Sequence, residues 1–494
     1  MKVASVFGIA FIGGLLWAQE DLAALAARGR QAMASGRFAE AAKIYSALVK
    51  KIPDSAGLHL NLGMARYMAG DARGAVPALE TALRLEPGSG PAQLFLGAAY
   101  LAAGAPARAV KPLVELVGRE PANAKARQML GDALLALGRA DESLNHFQKL
   151  AELEPENPRA WYGLSKSYEM LSRVAYQELE KQAPESAYWL ALTGGRREAQ
   201  RQFRSAFFFY REALRKDPAL RGVHLALARI YRETGHADWA AIEEERERAL
   251  GPPECATVPL ECEFAAGRFA AVLRATRAAL SPVSLYWRVR AANELALAAF
   301  HKLSALPESR ELHEFLAEAH RNRGRHMEAA SEWRRALQFT PEDRYLQKEL
   351  AVSLHLSRDY SGASEVVQKL LREDPASAEL NYLLGDALLN LQQALRAIPY
   401  LEKAAAADPK LLPARASLGR AYLQTGAPAR AVPHLRAALA LDEDGSLHFQ
   451  LARAYQDAGQ PELARQTLAK YREIQSAHLD EKRRLEEQVK IEPP

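Results

Sequence analysis

Cysteine is almost absent: the 494 residues hold two, Cys255 and Cys262, seven positions apart in PPECATVPLECEF. The spacing is not the Cys-x-x-Cys of a redox pair, and two thiols without partner ligands make only half a metal site. Isoleucine, threonine and asparagine are scarce, while alanine, leucine, arginine and glutamate abound. Straight-chain residues lose little rotamer freedom in a helix, so this composition predicts helices and almost no sheet. A strong charge of either sign is missing too, since 65 Lys and Arg against 60 Asp and Glu leave +5 with no polybasic block. That balance gives no footprint for nucleic acid. The most basic run, GRREAQRQFRSAFFFYREALRK (195–216), interleaves arginine with aromatics. Helical spacing puts the two classes largely on different faces, which spoils it as a stacking platform for bases.

Catalytic signatures are equally thin. The chain has no phosphate-binding glycine loop, zinc-protease pair or nucleophile elbow, so no cofactor, no metal and no enzymatic activity are expected. His313, His320 and His326 in HEFLAEAHRNRGRH come nearest to a ligand set. Two of them seven apart on one helix rise about 10.5 Å, too far to share an ion, and they read as surface or groove histidines. Glu243 and Glu245 in WAAIEEERERAL read as solvated ion pairs with arginines three or four residues away. Trp161, Trp287 and Trp333 fall on or near packing positions and are assigned to the core.

Long apolar runs are confined to the start. MKVASVFGIAFIGGLLWAQEDL has one lysine, an apolar stretch from Val3 to Trp17 and a small residue at Ala18, the pattern of a secretory signal. Residues 1–18 are expected to be a signal peptide, with Gln19 near the mature start. Leu16 is bulkier than the usual residue at its place before the cut, so an uncleaved membrane anchor stays open. The expected location is periplasmic or secreted.

What is present is a period. Pro53, Pro87, Pro121 and Pro155, then Pro341, Pro375 and Pro409, follow one another at 34 residues, and Gly29, Gly63, Gly97, Gly131 and Gly385 each stand 24 residues before a member of the series. Within one unit, AKARQMLGDALLALGRADESLNHFQKLAELEPEN, Leu130, Leu134 and Leu137 share a helix face. Gly138 breaks that helix, and Phe147 and Leu150 carry the apolar stripe onto a second one. A glycine inside a helix costs about 1 kcal/mol in propensity, so its recurrence predicts a close helix contact.

These residues resemble the tetratricopeptide repeat family, most clearly at Leu96, Gly97, Tyr100, Ala109, Leu113 and Pro121 and at Leu418, Gly419, Tyr422, Ala431, Leu435 and Ala438. The resemblance implies an all-α, right-handed superhelical solenoid of helix-turn-helix units, about 12 or 13 in number over nearly the whole mature chain. It also implies a groove lined by the first helices, where other proteins or peptides bind. Positions 2, 5, 9, 12 and 13 of the units supply the candidate site. In the N-terminal units these are Leu60, Met64, Tyr67, Met68, Leu94 and Leu101, an apolar stripe that either binds a partner or is buried by a neighbouring turn. Further on they are Lys125, Gln128, Asp132, Arg159, Tyr162 and Lys166, and near the end Tyr382, Asp386, Asn390, Arg420 and Gln424. The lysine and asparagine that some family members use to clamp a peptide carboxylate are replaced here by other residues.

Breaks in the period divide the chain into a regular array (19–157), an irregular middle (158–309), a second regular array (310–474) and a charged cap (475–494). Pro155 and Pro218 are 63 residues apart, five short of two units, and no glycine interrupts Leu164 to Ala183, which predicts that the two helices of this unit are fused or joined by a minimal bend. Tyr162, Tyr176 and Leu179 recur as Tyr286, Phe300 and Leu303 at an offset of 124, so the same is expected there. Between them lies the cysteine segment. On one straight helix the thiols would stand too far apart to bond, but Pro259 places Cys255 in a loop and Cys262 in a short helix. Export favours a disulfide; two buried thiols are the alternative. The expected function is a non-catalytic interaction scaffold of the cell envelope, or else an accessory subunit of an envelope polysaccharide or secretion machine.

Overall fold

The computed structural model describes residues 9–488 and 490–494, with side chains from residue 22 onward except 481–482 and 484–489. Four hairpins come first: α1 (Ile9–Ala34) with α2 (Phe38–Lys51), α3 (Ala56–Met68) with α4 (Ala72–Leu85), α5 (Gly90–Ala102) with α6 (Pro106–Arg119), and α7 (Ala124–Ala136) with α8 (Ala140–Leu153). A single long helix, α9 (Pro158–Gln182), follows. Next are α10 (Ala187–Ala199) with α11 (Phe203–Lys216), α12 (Val223–Glu233) with α13 (Ala237–Ala249), and the short pair α14 (Pro259–Ala265) and α15 (Phe269–Ala275). After a second long helix, α16 (Pro282–Ser304), come α17 (Arg310–Asn322) with α18 (His326–Phe339) and α19 (Arg344–Leu356) with α20 (Tyr360–Glu373). The last hairpins are α21 (Ala378–Asn390) with α22 (Ala394–Ala407), α23 (Leu412–Gln424) with α24 (Pro428–Ala438), and α25 (Ser446–Asp457) with α26 (Pro461–Gln488). Among the described residues the fold is all-α, a solenoid of helical repeats in which the two helices of each regular hairpin pack on one another. Residues 1–8 of the expected leader lie outside the described residues, and 9–18 open α1. Among the described residues no helix is long and apolar enough to cross a membrane.

The repeat residues act as the period predicts. A Cβ on Gly97 would lie 2.6 Å from Leu113 Cγ, and one on Gly419 2.5 Å from Leu435 Cγ, so the paired helices close to a distance only glycine permits. The periodic prolines sit in the turn after each second helix. Most of their carbonyls are claimed by the donor six residues on, as where Arg127 bonds Pro121 (2.6 Å), Trp161 bonds Pro155 (2.8 Å), Gln347 bonds Pro341 (2.7 Å) and Asn381 bonds Pro375 (3.0 Å). Side-chain caps start many first helices, as where Asn123 accepts from Ala126 N (2.9 Å) and Asp343 from Leu346 N (3.1 Å).

Two compact units share the chain discontinuously. One takes residues up to 175, 263–279 and 287–305; the other takes 176–262, 280–286 and 306 onward. In the first, the α9 face of Leu164, Tyr168 and Leu171 packs with Phe147 and Leu150 and is covered by Ala292, Ala296 and Ala299 of α16. Ser165 donates to the Ala296 carbonyl at 3.1 Å, across 131 residues of sequence. The small alanine faces let these two helices approach closely, and each buried leucine contributes about 1.5–3 kcal/mol. In the second unit the core runs through Leu350, Leu384, Leu401, Leu418 and Leu435. The predicted fusions are continuous helices, α9 of 25 residues and α16 of 23.

Cys255 and Cys262 are joined by a disulfide with Cα atoms 5.6 Å apart. The short α14 buries none of its residues. Besides the disulfide, Arg221 holds this segment, pairing with Glu261 at 2.8 Å and donating to the Leu250 carbonyl at 3.0 Å.

Candidate functional site

First helices of successive hairpins touch one another, α3 on α5, α5 on α7, α19 on α21 and α21 on α23, so their outward positions form a continuous face within each array. Helical spacing decides which residues reach it. On α3 and α5, Leu60, Tyr67, Leu94 and Leu101 are half-buried against the Leu79, Leu96 and Leu113 core, and Tyr67 meets Phe95 edge-on at 5.9 Å. Met64 is half-buried as well, while Met68 is 47% exposed. Much of this stripe is therefore spent on packing between turns.

The next stretch is ionic. Arg159 pairs with Asp132 at 2.8 Å and lies over the buried Tyr162 ring at 4.9 Å, while Lys166 pairs with Glu169 at 2.6 Å. Lys125 reaches Gln128 at 3.3 Å.

The tightest constellation is in the second array. Asp386, only 6% exposed, takes Ser417 Oγ at 2.5 Å on one oxygen and His355 Nε2 at 2.9 Å and Asn390 Nδ2 at 2.9 Å on the other. Arg420 stands 3.9 Å away. Burial alone would raise the Asp386 carboxyl, but hydrogen bonds from His355 and Ser417, with the charges of His355 and Arg420, hold it below its ordinary value. Beside it, burial and the Asp386 charge push the Tyr382 phenol up to about 12. Residues from three consecutive first helices, α19, α21 and α23, thus fix one ionised carboxylate with a half-buried guanidinium at its edge. Ser417 donates to the aspartate and His355 binds its other oxygen, so the serine is not poised against a base. The arrangement suits recognition by charge and hydrogen bonding.

Of the expected residues, Tyr382, Asp386, Asn390 and Arg420 come together here, and exposed Gln424 stays outside. Two members were missed, His355 and Ser417. Both stand 31 residues from Asp386, the interval that brings neighbouring first helices side by side, and a polar residue at that interval is the signal for them.

Two sequence readings are corrected. His313 is not a surface or groove residue: it is 2% exposed, its Nδ1 bonded to Glu332 at 2.7 Å across the hairpin. Glu243 is not a solvated ion-pair member, since it is 2% exposed and bonds His224 at 2.5 Å and Arg246 at 2.7 Å. Both acids face a histidine 19 residues away on the paired helix, so the interior satisfies them. Among the described residues no three His, Cys, Asp or Glu side chains gather as a metal site requires. In the basic run, Phe207 and Tyr210 are buried whereas Arg211 and Arg215 point outward.

Comparison with known proteins agrees with this geometry. Tetratricopeptide repeat models match residues 26–72, 66–130, 100–167, 350–411 and 416–478, together more than half of the chain. No curated protein matches. Among solved structures, MamA 41-end from Desulfovibrio magneticus RS-1 is 23% identical, with 35% of this chain and 97% of that one covered at a TM-score of 0.32. TTC0263, a thermophilic tetratricopeptide protein in Thermus thermophilus, is 22% identical, with 37% and 99% covered at a TM-score of 0.29. Those scores are too low to carry an argument, and the assignment rests on the repeat models and the hairpins themselves: the chain belongs to the tetratricopeptide repeat family.

Proposed function

We propose that this protein is a non-catalytic scaffold that captures partner proteins or extended peptides on its first-helix faces, in the cell envelope after export. One observation carries the reading: the Asp386 cluster, where a fixed carboxylate and a half-buried Arg420 from three successive repeats meet at one place. A carboxylate held this rigidly is pre-organised to steer a partner's polar groups, and Arg420 supplies a fork for a partner carboxylate. Arg159 and Lys166 offer the same chemistry on α9, at the start of the irregular middle. The signal-like start of the sequence supports export.

The test is affinity capture from envelope fractions with the intact chain and with Arg159→Glu, Lys166→Glu and Arg420→Glu combined. The same partner should be recovered by the intact chain, lost or weakened at least tenfold by the combined variant, and retained by Arg396→Glu, whose exposed side chain lies on a second helix. Capture indifferent to all three reversals would refute the reading.

A further inference from the structure

A buried tyrosine recurs on the first helices, and in three units the residue 20 positions earlier meets its phenol. Tyr100 donates to Glu80 at 2.5 Å, Gln148 donates to Tyr168 at 3.3 Å, and Tyr422 donates to Glu402. In two cases an arginine eight residues after the tyrosine completes the set: Arg108 bonds Glu80 at 2.8 Å and lies 4.5 Å over Tyr100, and Arg430 bonds Glu402 at 2.8 Å and lies 4.3 Å over Tyr422. At Tyr231 the pattern is inverted. The residue 20 positions earlier is Arg211 and the one eight later is Trp239, so the phenol loses its acceptor and an extra cation stands in the acid's place. Tyr231 is 1% exposed with the C-terminal segment in place, and a buried phenol without a partner is costly, whereas the outward-pointing Arg211 guanidinium stays solvated.

A distant piece of chain meets both groups. Glu492 pairs with Arg211 at 2.6 Å, and its backbone carbonyl accepts the Tyr231 hydroxyl at 2.7 Å. The surroundings are aromatic: Phe207 and Trp239 meet Tyr231 edge-on, each at 5.6 Å, and His236 stacks on Trp239 at 4.1 Å. The two residues after Glu492 are prolines, which hold an extended backbone, and Ile491 and Pro494 are half-buried. A tyrosine donor to a carbonyl preceding proline, beside aromatic rings and an arginine for the acid, is the chemistry of extended-peptide recognition.

We propose that Arg211 and Tyr231 form a binding site for an extended acidic peptide, and that residues 490–494 are its resident, displaceable occupant. The site is on α11 and α12, separate from the Asp386 cluster, and it stands whether or not that cluster captures partners. Tethering gives the resident segment a high effective concentration, so a free peptide gains access only when that segment is released.

The test uses the full chain and a fluorescein-labelled synthetic peptide of residues 489–494, read by anisotropy. A chain carrying Glu492→Arg should bind this peptide at least tenfold more tightly than the unaltered chain. Arg211→Glu should bind the peptide with Glu492→Arg and reject the original one, a reciprocal preference that a misfolded variant does not produce. In the double variant the segment docks again and both peptides are weakened. Equal binding by the unaltered and Glu492→Arg chains, or no reversal of preference at Arg211→Glu, would overturn the proposal.

Discussion

A single methyl group at a repeat glycine decides how closely a hairpin closes. At Gly97 an added Cβ would meet Leu113 at 2.6 Å, whereas at Gly118, exposed in α6, it would meet nothing within 4 Å. Alanine at Gly97 gains helix propensity but overpacks the contact, so Gly97→Ala should lose about 1–2 kcal/mol. Gly118→Ala should gain about 0.5–1 kcal/mol. Urea unfolding reads both, and a common sign would show that propensity alone governs these positions. Asp386 is the second residue whose surroundings set its behaviour. Its folded carboxyl lies below the ordinary value, so its contribution is complete above the unfolded value of about 3.9 and is lost as pH falls through the depressed folded one. Asp386→Asn should flatten the fall of the urea midpoint below pH 4 and cost about 1–3 kcal/mol at neutral pH. An unchanged acid slope would remove Asp386 from the groups that sense acid.

At the scale of elements, α14 is the helix least able to hold itself, with seven residues and none buried. The Cys255–Cys262 ring and the Arg221 contacts reinforce it beside the packing of Phe264 on Phe269 and Trp287. Closing so small a ring stabilises by about 2.5 kcal/mol in the chain-entropy picture. Protein taken from an oxidising compartment should resist alkylation until reductant is added, and hydrogen exchange after reduction should quicken first across 250–265. Two thiols alkylated without reductant would count against the disulfide. The long helices show the reverse case: α9 and α16 lack the glycine break that divides other units, and an uninterrupted run of helix formers continues as one helix.

Across the whole molecule, the 34-residue beat made the hairpins legible, because period, glycine and proline all mark the same boundaries. The pairing of α16 with α9 was not legible. Ala292, Ala296 and Ala299 announce a small apolar face, and a face does not name what covers it. The site divides the same way. Position within the unit located Tyr382, Asp386, Asn390 and Arg420, whereas Ser417 and His355 needed the lateral interval between stacked helices. The acid-to-arginine exchange at Arg211 is visible only once the other tyrosines define a rule for it to break.

That α9 is covered by a helix 131 residues further along has a consequence for the order in which the molecule is made. A ribosome adding about 5–20 residues per second needs on the order of ten seconds to produce the cover after the face it hides. During that interval Leu164, Tyr168 and Leu171 pack on Phe147 and Leu150 but lack their α16 cover, and an apolar face left half-covered is a surface prone to aggregation.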